Sequence, residues 1–176
     1  MPIGNFVEHK SVVYNVNWHP TMGNLFASVS GDQTLKIWDI KMGKTVKTIR
    51  ASNSDVLCCD FNKYENIIAT SAANGEVSVF DLRGTGDIPL IKLSGHMLSA
   101  KRVMFSPFFG SILASVGYDM NVIIWDIKKN APVNTFKHHR EFVVGLDFSV
   151  FDNKKIATAS WDRTMWIYKW DESLIY

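Results

Sequence analysis

The chain repeats one pattern four times. An aromatic residue at Trp38, followed by Asp39, returns as Phe80-Asp81, Trp125-Asp126 and Tyr168-Lys169, at steps of 42, 45 and 43 residues. Ahead of each lie an apolar residue, an alanine and a hydroxyl: Phe26-Ala27-Ser28, Ile68-Ala69-Thr70, Leu113-Ala114-Ser115 and Ile156-Ala157-Thr158. Further upstream stand Trp18, Phe61, Phe105 and Phe148. His9, His96 and His139 each precede the aromatic of their repeat by nine residues, and Ser52 holds that place in the second repeat. A fixed period of about 43 residues means one supersecondary unit, used repeatedly and burying its apolar surface against its neighbours.

Within a repeat the short runs alternate with period two, as in Tyr14, Val16 and Trp18 against Asn15 and Asn17, which predicts strands. Turn signals separate them at "HPTMGN" (19–24), "SGDQT" (30–34), "KMGK" (41–44), "ANG" (73–75) and "RGTGD" (83–87). Helical periodicity is absent. Each unit therefore reads as four short antiparallel strands, and the fold expected is all-β: four four-stranded antiparallel blades of a propeller. The blades are expected at approximately 8–50, 51–94, 95–137 and 138–176, within one domain or fragment spanning 1–176. Phe6 lies three residues before His9, as Ile49, Leu93 and Phe136 lie three before Ser52, His96 and His139. Residues 2–7 are accordingly expected to form the outer strand of a preceding or closing blade.

Nineteen basic against seventeen acidic residues leave a formal charge of +2, too little to point to nucleic acid or an anionic membrane. The adjacent Cys58 and Cys59 cannot staple a fold, and among apolar neighbours they read as reduced buried thiols on opposite faces of a strand, fitting an intracellular compartment. Neither a secretory leader nor a membrane-length apolar run is seen.

The polar residues recur in phase too. His96, Ser115, Asp119 and Trp125 fall before the first strand, in the second, in the turn after it and in the third. Joined as a relay, they satisfy groups that would each be costly to bury alone. His9, Ser28, Asp32 and Trp38 repeat the set. His139, Thr158 and Asp162 repeat it with Tyr168 in place of the indole, and the second repeat retains only Thr70 with Asn74. His138-His139 with Asp162 and Glu141 invites a metal reading, but His139 is already assigned to its relay, so no metal ligand and no cofactor is expected. No phosphate loop, serine elbow or metalloprotease motif occurs, and the chain is read as a non-enzyme with no catalytic residue.

These residues resemble WD-repeat blades. Gly95-His96, Trp38-Asp39 and Trp125-Asp126 are that family's signature dipeptides, in phase along the chain. Within the class, "FASVSGDQTLKIWD" (26–39), "CCDFNKYENIIATSA" (58–72), "LSGHMLSAKRVMFSPFFGSILASVGYD" (93–119) and "HHREFVVGLDFS" (138–149) are similar to the later repeats of the receptors for the type 2 peroxisomal targeting signal. The resemblance implies a cytosolic carrier that shuttles to the peroxisome and recognises a short N-terminal signal on matrix proteins. It also implies a co-receptor peroxin and the peroxisomal docking machinery as partners, with no nucleic acid and no membrane span. A general WD-repeat scaffold, of the histone-binding or ubiquitin-ligase adaptor type, is the alternative.

In the WD-repeat family the loops before the first strand and between the second and third strands share one face around the axis. The resemblance thus puts Asp55, Tyr118, Arg140, Glu141 and Trp161 on a candidate peptide-binding face, beside Lys10, Ser11, Gly31, Ser54, Ala73, Met97, Leu98 and Ser99. The signal is expected to lie there as an amphipathic helix, its apolar side on aromatics and its basic residue near a carboxylate. Receptors of this kind have seven blades, so three are expected to be missing from 176 residues. Four blades either stay open, leaving bare faces and a bare strand edge, or close a smaller ring.

Overall fold

In the computed structural model, which describes residue 1 and residues 4–84 and 86–170, all regular structure is antiparallel β. The first blade contains β1 (Val13–Trp18), β2 (Leu25–Ser30), β3 (Thr34–Asp39) and β4 (Lys44–Arg50). The second contains β5 (Val56–Phe61), β6 (Ile67–Ala72), β7 (Val77–Asp81) and β8 (Ile91–Leu93). In the third are β9 (Ala100–Phe105), β10 (Ile112–Gly117), β11 (Val122–Asp126) and β12 (Ala131–Phe136). The fourth has β13 (Val143–Phe148), β14 (Lys155–Ser160) and β15 (Met165–Lys169). Strand order follows chain order in every blade, a plain meander.

Two local devices recur. The turn between second and third strands always closes with an N–H to carbonyl bond over three residues and a left-handed residue: Gln33 (φ 71°), Gly75 (φ 84°), Met120 (φ 64°) and Arg163 (φ 69°). Only Gly75 is a glycine, and a Cβ there would fall 2.8 Å from the carbonyl oxygens of His96 and Leu98. The first strand of each blade also carries one register shift against the second, at Val13/Asn15 and Val56/Cys58, opposite Val116/Gly117, and at Val143/Gly145. The shift separates Tyr14 from Val16 and Trp18, with which simple alternation groups it: the Tyr14 hydroxyl reaches across to Asp55 of the second blade.

The shift also gathers three residues of each first strand onto what we term the leading face of a blade. The core is a stack of blade contacts in which one trailing face meets the next leading face. Ala27, Val29, Leu35 and Ile37 are buried with Val56, Cys59 and Phe61. Ala69, Val77 and Val79 are buried with Ala100, Val103 and Phe105. Ala114, Val116, Val122 and Ile124 are buried with Val143, Leu146 and Phe148. Each wholly buried large side chain withdraws on the order of 2 kcal/mol of apolar surface from water. Cys58 and Cys59 enter different clusters, and burial pushes Cys58 up to about 11 and Cys59 well above the ordinary thiol value, so both are protonated, inert core residues.

Two expectations reach beyond the described residues. The fourth sheet shows three strands among the described residues. Residues 171–176, which the expected repeat 138–176 includes, lie outside the described residues. Of the segment 2–7, residues 2 and 3 also lie outside them, and 4–7 form no strand ladder. A strand needs a neighbour to bond, and among the described residues no strand pairs with this segment. Phe6 instead packs its ring on Phe26 (5.1 Å) and Trp38 (5.4 Å), both edge to face. The four sheets form an open array: extensive contacts link β1 with β5, β5 with β9 and β9 with β13, so the first strands line the inner side of the array.

Candidate functional site

Three blades carry the polar relay. In the third, His96 Nδ1 lies 2.8 Å from Asp119 Oδ1 and Nε2 lies 2.7 Å from Ser115 Oγ, which accepts the Trp125 indole N–H at 2.8 Å. The bonding pattern is self-consistent in one sense only. The indole donates to the serine, the serine to Nε2, and Nδ1–H to the carboxylate, which sets the histidine tautomer. In the first blade His9 sits 2.9 Å from Asp32 and 2.7 Å from Ser28, and Trp38 donates to Ser28 at 2.7 Å. In the fourth, His139 lies 3.0 Å from Asp162 and 2.8 Å from Thr158. There Tyr168 replaces the indole, and its buried hydroxyl lies beside Thr158 without a hydrogen bond of standard geometry.

Each aspartate of a relay also accepts a backbone N–H from the loop before the first strand: Lys10 to Asp32 at 2.9 Å, Met97 to Asp119 at 3.1 Å and Arg140 to Asp162 at 2.9 Å. The relay therefore ties that loop to the β2–β3-type turn, and both belong to one rim. Burial alone would raise these carboxyls. The bonds from Thr34, Lys10 and His9 hold Asp32 well below the ordinary carboxylate value, those from Thr164, Arg140 and His139 do so for Asp162, and His96 leads for Asp119.

In the second blade Thr70 and Asn74 share no hydrogen bond. Asn74 caps its own turn by accepting from Glu76 N at 3.1 Å, and its N–H donates to Ser54 Oγ at 3.1 Å. Phe80 fills the indole position and is buried against neighbours that include Ile49 and Ile68. Polar anchoring of this blade lies instead at the inner strands. Asp60 on β5 accepts from Asn17 Nδ2 of the first blade at 2.6 Å and from Phe105 N of the third at 2.7 Å. Burial pushes the Asp60 carboxyl up to about 6, against the pull of those donors.

The rim is continuous. Gln33 Nε2 of the first blade donates to Asn53 O in the loop before β5, Ser99 Oγ of the loop before β9 donates to Ala73 O, and Trp161 N donates to Phe142 O. Where the third blade meets the fourth, Tyr118 stacks on Phe142 with centroids 4.4 Å apart, and Trp161 tilts against Phe142 at 5.2 Å and Tyr118 at 6.2 Å. Trp161 is 60 % exposed. Arg140 and Glu141 are exposed immediately before Phe142. Of the five candidate residues the structure thus brings together Tyr118, Arg140, Glu141 and Trp161. Asp55 belongs to the junction of the first and second blades, where its Oδ2 accepts the Tyr14 hydroxyl at 2.8 Å.

Phe142, the centre of the stack, was missing from the residues singled out by sequence, as was Tyr14. The "EF" after the doubled histidine marks Phe142 only once the fourth loop is laid against the third turn. His138 and His139 diverge: His139 enters the relay, and His138 is exposed against Trp166 (5.2 Å) and Tyr168 (5.6 Å). Among the described residues no group of three or more His, Cys, Asp or Glu is arranged to hold a metal, and no helix is long and apolar enough to cross a membrane.

The family model described as WD domain, G-beta repeat matches residues 1–39, 43–81, 88–126 and 130–169. Its repeats end at the Trp-Asp position, so the second, third and fourth each begin with the outer strand of the preceding blade. The Peroxisomal targeting signal 2 receptor of Mus musculus is 42% identical, over 95% of this chain and 67% of its own length. The receptor of the same name from Homo sapiens is 42% identical, over 82% of this chain and 59% of its own length. E3 ubiquitin-protein ligase COP1 of Arabidopsis thaliana is 28% identical, over 93% of this chain and 24% of its own length. The chain spans 51% to 67% of the length of the curated signal receptors it matches.

Proposed function

This chain belongs to the WD domain, G-beta repeat family, and from that premise we propose that it is a receptor, or the larger part of one, for the type 2 peroxisomal targeting signal. The observation that carries the reading is 42% identity to two receptors of that name, with two more, of Saccharomyces cerevisiae and Schizosaccharomyces pombe, at 26% and 29%. Family and relatives point to protein interaction rather than catalysis.

The rim chemistry supports this reading. Tyr118, Phe142 and Trp161 offer rigid aromatic area at little entropic cost, held at the meeting of two blades by stacking and by the His139–Asp162 relay beneath. An amphipathic helix lays its apolar side on that shelf. The exposed Glu141 carboxylate attracts the basic residue near the helix start, and exposed Arg140 disfavours the opposite register. Asp55, engaged with Tyr14, is a second acidic position one junction removed from the third blade. Cargo so held is handed on with a co-receptor peroxin and the peroxisomal docking machinery, the chain shuttling between cytosol and peroxisome.

The test is fluorescence anisotropy of a labelled type 2 signal peptide against the purified chain, with a control peptide whose initial basic residue is neutral. Selective binding, weakened at least tenfold by Trp161→Ala, is expected. Equal affinity for both peptides, or binding indifferent to Trp161, would overturn the reading and leave the scaffold alternative.

A further inference from the structure

At the end of the strands opposite the rim, the loops joining first and second strands meet across the seams between blades. Tyr64 of the second blade closes one such seam. Its hydroxyl donates to Pro107 O of the third blade at 2.6 Å, and it stands so near Gly110 that a Cβ there would fall 3.3 Å from Tyr64 Cβ and Cδ2. Tyr64 lies three residues after Phe61. The same place holds Phe108 in the third repeat and Phe151 in the fourth, but Thr21 in the first.

The small threonine leaves the seam between the first and second blades open. Thr21, Lys63 and Asn66, the counterparts of Tyr64, Pro107 and Gly110, line a hollow of about 220 Å³ there, together with His19, Met22 and Tyr64. Tyr64 and Met22 are exposed, and the Lys63 ammonium sits 5.7 Å from the centre of the Tyr64 ring. His19 Nδ1 accepts the N–H groups of Thr21 at 3.3 Å and Met22 at 3.2 Å, which places the ring proton on Nε2. Burial holds this imidazole below its ordinary value, so it stays neutral in that tautomer, and among the described residues Nε2 makes no hydrogen bond. Lys41 and Lys44, in the turn between β3 and β4 at the same end of the first blade, are exposed with Lys63. None of the three joins an ion pair among the described residues, and Glu65 is the one carboxylate lining the hollow.

We propose that this hollow is the docking site for a protein segment that presents one aromatic side chain flanked by acidic residues. The guest ring takes the place in the first seam that Tyr64 takes in the next, against the exposed Tyr64 and Met22 side chains. The backbone carbonyl beside it accepts the free His19 Nε2–H, and the acidic flanks face Lys41, Lys44 and Lys63. The occupant is aromatic because the molecule closes the equivalent seam with an aromatic side chain of its own. It is acidic because exposed cations outnumber the carboxylate at the hollow. The site stands at the far end of the strands from Tyr118, Phe142 and Trp161, so a partner here leaves the rim free.

The test is a magnetic-resonance titration of the methyl-labelled chain with the peptide acetyl-Glu-Asp-Tyr-Asp-Glu-amide, carried to about 2 mM. Saturable shifts of the Thr21 and Met22 methyl signals are expected, half complete below about 1 mM. Peptides with alanine for the tyrosine, or with lysines for the acidic residues, are expected to bind at least about tenfold more weakly. Thr21→Tyr copies Tyr64 and fills the hollow from within, so the Met22 response should vanish while circular dichroism is unchanged. Lys63→Glu, an exposed change outside any strand, should weaken binding at least about threefold. The proposal is overturned by no saturable shift at the highest peptide concentration, by equal responses to the three peptides, or by undiminished binding to either variant. Shifts of Met22 that grow with protein concentration alone would also overturn it, assigning the hollow to a second copy.

Discussion

The second and third blades are equally enclosed, each with a neighbour on both faces, yet they are tied down at different places. The third joins rim loop to turn through His96, Asp119, Ser115 and Trp125, with His96 wholly buried and Asp119 nearly so. The second has Phe80 where the indole would be, links rim loop to turn through Ser54 and Asn74, and puts its costly carboxyl, Asp60, among the inner strands of three blades. Apolar packing between faces is thus sufficient to form a blade of this architecture. The relay adds something narrower: a rim loop held in one position, which a recognition surface requires.

The sharpest way to break the comparison is His96→Ala. It leaves the Asp119 carboxylate and the Ser115 hydroxyl buried without their common partner, and a loss of about 3 kcal/mol in urea unfolding is expected. The same change at Ser52, its counterpart in the second blade, is expected to cost about 1 kcal/mol or less, since among the described residues Ser52 Oγ accepts the Ser54 N–H and joins no relay. Next in size, Trp125→Phe copies the second blade's solution into the third. Loss of the indole donor and of ring volume should cost about 1–2 kcal/mol by the same measurement, with the far-ultraviolet spectrum intact.

Titration separates the two anchors by sign. Asp119, held low in the folded state, contributes stability above the ordinary carboxylate value near 4, and that contribution is lost as pH falls through its folded value. Asp60, pushed up to about 6, acts oppositely: between about 4 and 6 the folded state takes up the proton, so stability from this group falls as pH rises. Relative to Asp60→Asn, the wild-type chain is expected to lose about 1 kcal/mol between pH 5 and pH 7. The smallest effect is expected at Tyr168→Phe, which deletes a buried hydroxyl that makes no hydrogen bond of standard geometry. Thermal unfolding should shift by no more than about 0.5 kcal/mol, in either direction.

The period of the sequence carries the sheets, because each strand pairs with its chain neighbour and each turn repeats its own residues. The relay was legible for the same reason, its members recurring at one offset three times. What escaped were contacts between blades. Asn17 to Asp60 spans 43 residues and Asp60 to Phe105 spans 45, so these are equivalent or adjacent positions of consecutive repeats. Period-two alternation within one strand is blind to them, though laying the repeats side by side would have set Asn17 beside Asp60. The stack of Tyr118 on Phe142 was hidden likewise, joining one blade's turn to the next blade's loop. The shifted register in each first strand left no local mark and moved Tyr14 away from the side that alternation assigns it.

Under the proposed function recognition falls on the aromatic rim, although the molecule also exposes two apolar blade faces to which an amphipathic helix would adhere without specificity. A type 2 signal peptide carrying a photoreactive group on its apolar side, cross-linked to the chain and mapped by mass spectrometry, separates the two. Adducts at Tyr118, Phe142 and Trp161, lost when the peptide's basic residue is neutralised, are the predicted result. Adducts confined to Val16 and Trp18 or to Met165 and Ile167 would contradict it, assigning the binding to bare blade faces instead of the rim.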